Sequence, residues 1–197
     1  SPLQNLADGL KYVRTHPVIS RIMLLTFTVL CGSTIMPIWP IYARDRFAVG
    51  ETGFGTMMAV FAAGQALSAI YLSVHGGWQR RAPSILCASL VWSGMMILFG
   101  FSHSYLLSLA SLFVMGMVIP PWVTGISTTL QIQSTKGMLG RVLAIYTMSI
   151  QLGFTGWLLG GWLGELIGND WMLLCTGCAF ATLHFLVFAT YKPLRQI

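Results

Sequence analysis

The amino-acid sequence predicts an all-α integral membrane protein of six transmembrane helices, on three observations. Of 197 residues, 55% are hydrophobic and 8% charged, whereas a soluble domain is about a quarter charged, so a water-soluble fold would lack the polar residues to cover itself. The few charges divide the chain into uncharged runs of membrane-spanning length. The basic residues gather in alternate loops, the bias that orients membrane proteins.

Residues 1–21 precede the first run. Leu3, Leu6, Leu10 and Val13 recur at helical spacing with Lys11 and Arg14 on another face, so this segment reads either as an interfacial helix or as a cytoplasmic linker. Residue 1 is serine and no signal-peptide core follows, so the sequence is expected to begin inside a longer gene product.

A bilayer core of about 30 Å needs about 20 helical residues. Uncharged runs of 22 residues between Arg21 and Arg44, 28 from Thr52 to Gln79, 23 between Arg141 and Glu165 and 21 between Asp170 and Lys192 each supply one crossing. The 54 uncharged residues from Ala82 to Thr135 would make a single helix of roughly 81 Å at about 1.5 Å per residue. They must turn back, and Ser102-His103-Ser104 after Gly100 marks the turn. The spans are expected at 22–43, 53–74, 83–101, 105–133, 142–164 and 171–191, together a bundle over 22–191.

Nine of the eleven Lys and Arg residues lie in the N-terminal segment, the loop with Arg80 and Arg81, the loop with Lys136 and Arg141, and the tail 192–197; the opposite side has Arg44 and Arg46. Both termini are therefore expected in the cytoplasm of a multi-pass protein of the cell's inner membrane. The +6 net charge reads as this orientation signal, and no nucleic-acid partner is expected.

Cys31, Cys87, Cys175 and Cys178 all fall in apolar stretches and are expected to be reduced packing residues. Cys175 and Cys178 form a C-x-x-C without the second ligand pair that zinc would need, so no metal or other cofactor is expected.

Gly156, Gly160 and Gly164, continued by Gly168, recur every four residues, a groove where another helix backbone approaches closely. It serves a sliding contact or static packing. Ala62, Ala66 and Ala69, with Gly64 nearby, make a second small-residue face. Pro37 and Pro40 in the first span and Pro120-Pro121 in the fourth remove backbone donors, so these helices are expected to face a cavity or the protein interior. Thr124, Ser127, Thr128 and Gln131 follow the i, i+3, i+4, i+7 rule of one helix face. This stripe is the best cavity-lining signal, with interhelical hydrogen bonding as the alternative; Trp39, Gln65, Tyr146 and Gln151 are weaker members of the same set.

No acid or base lies deep in any span, so a proton- or ion-coupling group is expected elsewhere in the full protein. His184 is read as packed or at the lipid edge. No catalytic constellation or phosphate-binding loop is present, and an enzyme is not expected.

Leu10-Lys11-Tyr12-Val13-Arg14 with His16-Pro17, then Pro37-Ile38-Trp39-Pro40-Ile41-Tyr42-Ala43-Arg44-Asp45, Gly53-Phe54-Gly55, Gly140-Arg141-Val142 and Gly160-Gly161-Trp162-Leu163-Gly164 occur in this order. Together they resemble the last six helices of a major facilitator superfamily transporter, particularly its bacterial siderophore and macrolide efflux branch. The resemblance implies half of a twelve-helix fold with a 3+3 inverted repeat, alternating access, and the first, second, fourth and fifth helices beside the pathway. It implies an N-terminal six-helix half as partner, together with the lipid bilayer and a small-molecule substrate. Arg80 and Arg81 fall in the loop that carries the family's gating motif, although His75-Gly76-Gly77-Trp78-Gln79-Arg80-Arg81 lacks that motif's acid, and Arg141 falls in the basic turn before its eleventh helix; these three arginines are expected to serve cytoplasmic gating or topology. The expected function is thus secondary active efflux of a small amphipathic or drug-like molecule. The alternative is a six-helix scaffold or subunit associating through its glycine-rich face.

Overall fold

The computed structural model describes the backbone of residues 2–76 and 81–190 and the side chains of 7–76 and 82–190. Arg80, the side chain of Arg81 and the tail 192–197 lie outside the described residues. Among the described residues, six helices are long and apolar enough to cross a membrane: spans 1 to 6 are Pro17–Arg46, Gly50–His75, Ala82–Phe101, Tyr105–Gln133, Leu139–Ile167 and Asn169–Thr190.

Residues Pro2–Thr15 form a separate helix packed on protein. Val13 is buried, the Tyr12 hydroxyl accepts from the Thr135 amide at 3.1 Å, and Asp8 pairs with Arg141 at 3.1 Å.

Span 1 is not one regular helix. It is α-helical over Pro17–Phe27, tightens to a three-residue turn at Ser33–Ile35 and ends in a π-helical turn at Tyr42–Arg46. Pro37 has no N–H for the Ser33 carbonyl, which instead accepts from Met36 at 3.1 Å. The irregularity begins earlier, at Thr28, whose hydroxyl donates to the Leu25 carbonyl at 2.6 Å and so competes with the helix ladder. Span 5 breaks too, at Leu152 between Leu139–Gln151 and Gly153–Ile167. The two breaks abut: the Ser33 hydroxyl donates to the Gly153 carbonyl at 2.9 Å.

Two close crossings organise the bundle. A methyl group added at Gly156 would overlap the Leu30 carbonyl and the Ser33 hydroxyl, and one at Gly160 the Thr34 carbonyl, so spans 1 and 5 meet backbone to backbone. A methyl at Gly64 would overlap the Phe113 carbonyl, and one at Gly116 the Phe61 carbonyl, so spans 2 and 4 do the same. Exchanging spans 1–3 with 4–6 maps one crossing onto the other, the relation of a 3+3 inverted repeat. Spans 3 and 6 pack on each other, a pairing that maps onto itself.

These contacts correct one reading. The glycine-rich face is filled by span 1 of the same chain, not left open for a separate scaffold partner, and Gly164 meets the Asn169 side chain. Ala62, Ala66 and Ala69 are exposed, while Met57, Phe61, Gly64 and Ser68 form the buried face of span 2. Within this chain the close crossing of span 2 is made at Gly64, and the alanine face points outward. The cysteines are free, but only Cys31 is partly buried; Cys87, Cys175 and Cys178 are exposed. In a bilayer a thiol on an outward face meets hydrocarbon, so burial in protein is not required of it.

Candidate transport pathway

Where the broken part of span 1 faces span 4, the helices leave a cavity of about 230 Å³. Span 1 lines it with Val29, Gly32, Ser33 and Met36. Span 4 adds Val118, Ile119, Trp122 and Val123 around Pro120-Pro121, and span 5 adds Ile150 beside its break. Ala88, Ser89 and Trp92 of span 3 and Phe180 of span 6 form the remaining wall. The members from spans 3 and 6 are buried, whereas Val29, Met36, Ile150 and the four from span 4 are half-buried. The floor therefore rests on spans 3 and 6, and the mouth opens beside spans 1, 4 and 5.

The wall is apolar, and its polar groups are mostly committed. The Ser89 hydroxyl donates to the Ile85 carbonyl at 2.8 Å, and that of Ser33 to Gly153. Trp122 donates its indole N–H to His184 Nε2 at 3.3 Å, while His184 Nδ1 lies 3.0 Å from the Phe180 carbonyl. A carbonyl only accepts, so His184 carries its proton on Nδ1 and presents Nε2 as acceptor, the neutral form. His184 is fully buried, a packed residue that ties span 6 to the cavity wall. Neither it nor Trp92, Trp122 and Phe180 was singled out in the sequence as lining; the signal for Trp122 was its place directly after two prolines.

The stripe residues continue from the mouth along span 4. Thr124 and Gln131 are exposed, and Ser127 and Thr128 half-buried. The Thr124 hydroxyl donates to the Pro120 carbonyl at 2.7 Å and that of Ser127 to the Thr124 carbonyl at 3.3 Å, so both use their own helix rather than a neighbour. The remaining residues of the set are scattered. Tyr146 is buried with its hydroxyl 3.5 Å from the Val123 carbonyl. Trp39 is buried against Phe61, ring centres 4.9 Å apart. Gln65 is half-buried on span 2, and Gln151 is exposed at the span 5 break.

At the end of the bundle away from the N-terminal helix, a polar cluster absent from the sequence reading joins three spans. Arg46 Nη2 contacts both carboxylate oxygens of Asp170 at 2.6 Å, its Nη1 donates to the Gly100 carbonyl, and its guanidinium lies 4.1 Å from the Tyr42 ring centre. The Tyr42 hydroxyl donates to Asp170 Oδ1. This cluster anchors the far end of the irregular span 1 to spans 3 and 6.

The family described as transmembrane secretion effector matches residues 3–196. The enterobactin exporter EntS of Escherichia coli O1:K1 / APEC is 25% identical over 151 residues, which cover 74% of this chain and 35% of that protein. The EntS proteins of Escherichia coli O139:H28 and Shigella boydii serotype 18 are 26% identical over 152 residues with the same coverage. The chain thus spans about a third of the length of these curated relatives. No solved structure matches.

Proposed function

This chain belongs to the transmembrane secretion effector family of the major facilitator superfamily, a family of transporters rather than enzymes, and from that premise we propose that it is one half of a secondary exporter. It would move a small amphipathic molecule outward across the inner membrane by alternating access, with an N-terminal six-helix half as the other wall and both termini cytoplasmic. The relatives' name as exporters supports the direction, and the Lys and Arg bias supports the orientation.

The observation that carries this reading is the cavity whose mouth opens onto the polar stripe of span 4. Three spans are irregular or proline-bearing around it, and irregular backbone within a bilayer is tolerated where it lines a cavity or is packed in protein. An amphipathic molecule finds an apolar recess and, one to three helical turns along the same span, hydroxyl and amide groups for its polar end. Among the described residues no charged side chain lines the recess, so the group that couples transport to an ion gradient is assigned to the other half.

Efflux from cells expressing the whole gene product tests the stripe. Thr128→Val and Gln131→Ala are each expected to slow the initial rate about fivefold, the effect of losing one hydrogen bond of about 1 kcal/mol to the moving substrate. Unchanged efflux in both variants would overturn the assignment of this face.

A further inference from the structure

We propose that His184 is a positioning residue for specificity: by holding the Trp122 indole in the wall of the recess, it sets the size of the uncharged apolar group that the recess accepts. This rests on the recess belonging to the transport pathway. His184 is fully buried on span 6 and is not among the residues that line the recess, so it acts on a substrate only through Trp122. Trp122 lines the recess directly, on span 4 between Ile119 and Val123.

Two features make Trp122 depend on this partner. Its helix is weakened where it stands, because Pro120 and Pro121 have no N–H for the carbonyls of Gly116 and Met117. The recess wall around it is apolar apart from Ser33 and Ser89, whose hydroxyls are committed to the Gly153 and Ile85 carbonyls. His184 Nε2 is the acceptor that the structure gives the indole N–H, at 3.3 Å. A donor stripped of its acceptor in such surroundings costs its full desolvation, more than the bond itself is worth.

His184 is fixed in turn. Its Nδ1 lies 3.0 Å from the Phe180 carbonyl one turn earlier, and its ring sits 4.4 Å from the Phe180 ring, which also lines the recess. Packing alone would be satisfied by leucine or phenylalanine at position 184. An imidazole there brings two polar nitrogens whose burial must be offset, and both are used: one anchors the ring to span 6, the other reaches span 4 and orients Trp122.

The consequence is a size limit. A cavity of about 150 Å³ accepts benzene, so 230 Å³ admits a fused pair of rings and rejects three while Trp122 stays in place. An ionised group would lose its hydration against this wall without compensation, which leaves uncharged hydrocarbon as the class that enters.

The test uses the full-length protein labelled with 5-fluorotryptophan in lipid nanodiscs and read by 19F NMR, with the Trp122 resonance assigned by its absence from Trp122→Phe. The probes are naphthalene and phenanthrene, with concentrations expressed per lipid because both partition into the bilayer. Naphthalene should shift the Trp122 resonance, and phenanthrene should need about tenfold more for the same shift, the effect of overfilling a packed site. His184→Leu and His184→Phe remove the acceptor with two different shapes, so one failing to fold leaves the other. Each should move the Trp122 resonance before any ligand is added and bring the two hydrocarbons within about twofold of each other. His184→Gln, whose side-chain oxygen reaches the place of Nε2, should restore both the resonance and the discrimination.

A Trp122 resonance unmoved by loss of the acceptor, discrimination that survives that loss, or no response to naphthalene in the wild type would each overturn the inference. His184→Gln behaving like His184→Leu would overturn it too, since packing and not the hydrogen bond would then be what position 184 supplies. Discrimination that depends on His184 while efflux is indifferent to the stripe refutes the pathway reading and leaves His184 as the keeper of a binding recess. Stripe-dependent efflux with discrimination indifferent to His184 refutes the positioning role alone.

Discussion

Gly156→Ala and Gly160→Ala are each expected to destabilise the protein by about 2–3 kcal/mol and to abolish transport when combined. In an unobstructed helix the same change stabilises by up to about 1 kcal/mol, because alanine has less backbone entropy to lose. Here the new methyl group would overlap the Leu30 and Thr34 carbonyls. A clash with backbone cannot be relieved by turning a side chain, so spans 1 and 5 must separate and lose packing along their contact. Gly161, with nothing within 4 Å of an added methyl, supplies the control: Gly161→Ala should leave stability equal or slightly raised. Thermal unfolding of the purified full-length protein checks the sign at each position, with about 2–4 °C expected per kcal/mol. Gly156→Ala and Gly160→Ala as stable as wild type would mean that spans 1 and 5 do not cross here, and the inverted-repeat arrangement would fall with them.

Removing Asp170 should be the most damaging single change among the charges. Arg46 is 17% exposed and Asp170 32%, and the guanidinium would be stranded at the junction of spans 1, 3 and 6. The expected cost of Asp170→Ala is about 3 kcal/mol, the low end for breaking a buried pair because the carboxylate retains some solvent. Arg46→Ala should cost a similar amount, and the double variant should be less destabilised than the sum of the two. A double-mutant cycle by thermal or denaturant unfolding reads that coupling. The neighbouring Arg44–Asp45 pair, 78% and 52% exposed, is the contrast: Asp45→Ala should leave the unfolding midpoint unchanged, because a solvated surface pair contributes little. Additive effects at Arg46 and Asp170 would show that the cluster is incidental.

The two positions differ in how readable they were. The Gly156, Gly160 and Gly164 spacing announces close packing in any sequence, but not its partner; span 1 carries no matching glycine run, only Gly32 and the small Ser33 and Thr34. Gly64 and Gly116 lie in different spans with no shared pattern, and their crossing appears only when both are placed. Arg46 and Asp170 stand 124 residues apart; their common position at the same end of the bundle follows from counting spans, yet their contact depends on the π-helical turn that aims Tyr42 and Arg46 together. Thr124, Ser127, Thr128 and Gln131 were visible as a stripe because they share one helix and one period.

The number of crossings, the all-helical class and the stripe were determined by the sequence by itself, since each depends on hydrophobicity and spacing within a single segment. The prolines likewise marked spans 1 and 4 as irregular. The tertiary structure alone decided which small-residue face meets which helix, where span 5 breaks, and that Trp92, Trp122 and Phe180 line one recess. Those properties belong to pairs and triples of residues far apart in the chain, and in a bilayer, where lipid is as apolar as the side chains, hydropathy cannot tell a face that meets protein from one that meets lipid. Shape complementarity between backbones settles that choice, and it exists only after the helices are packed.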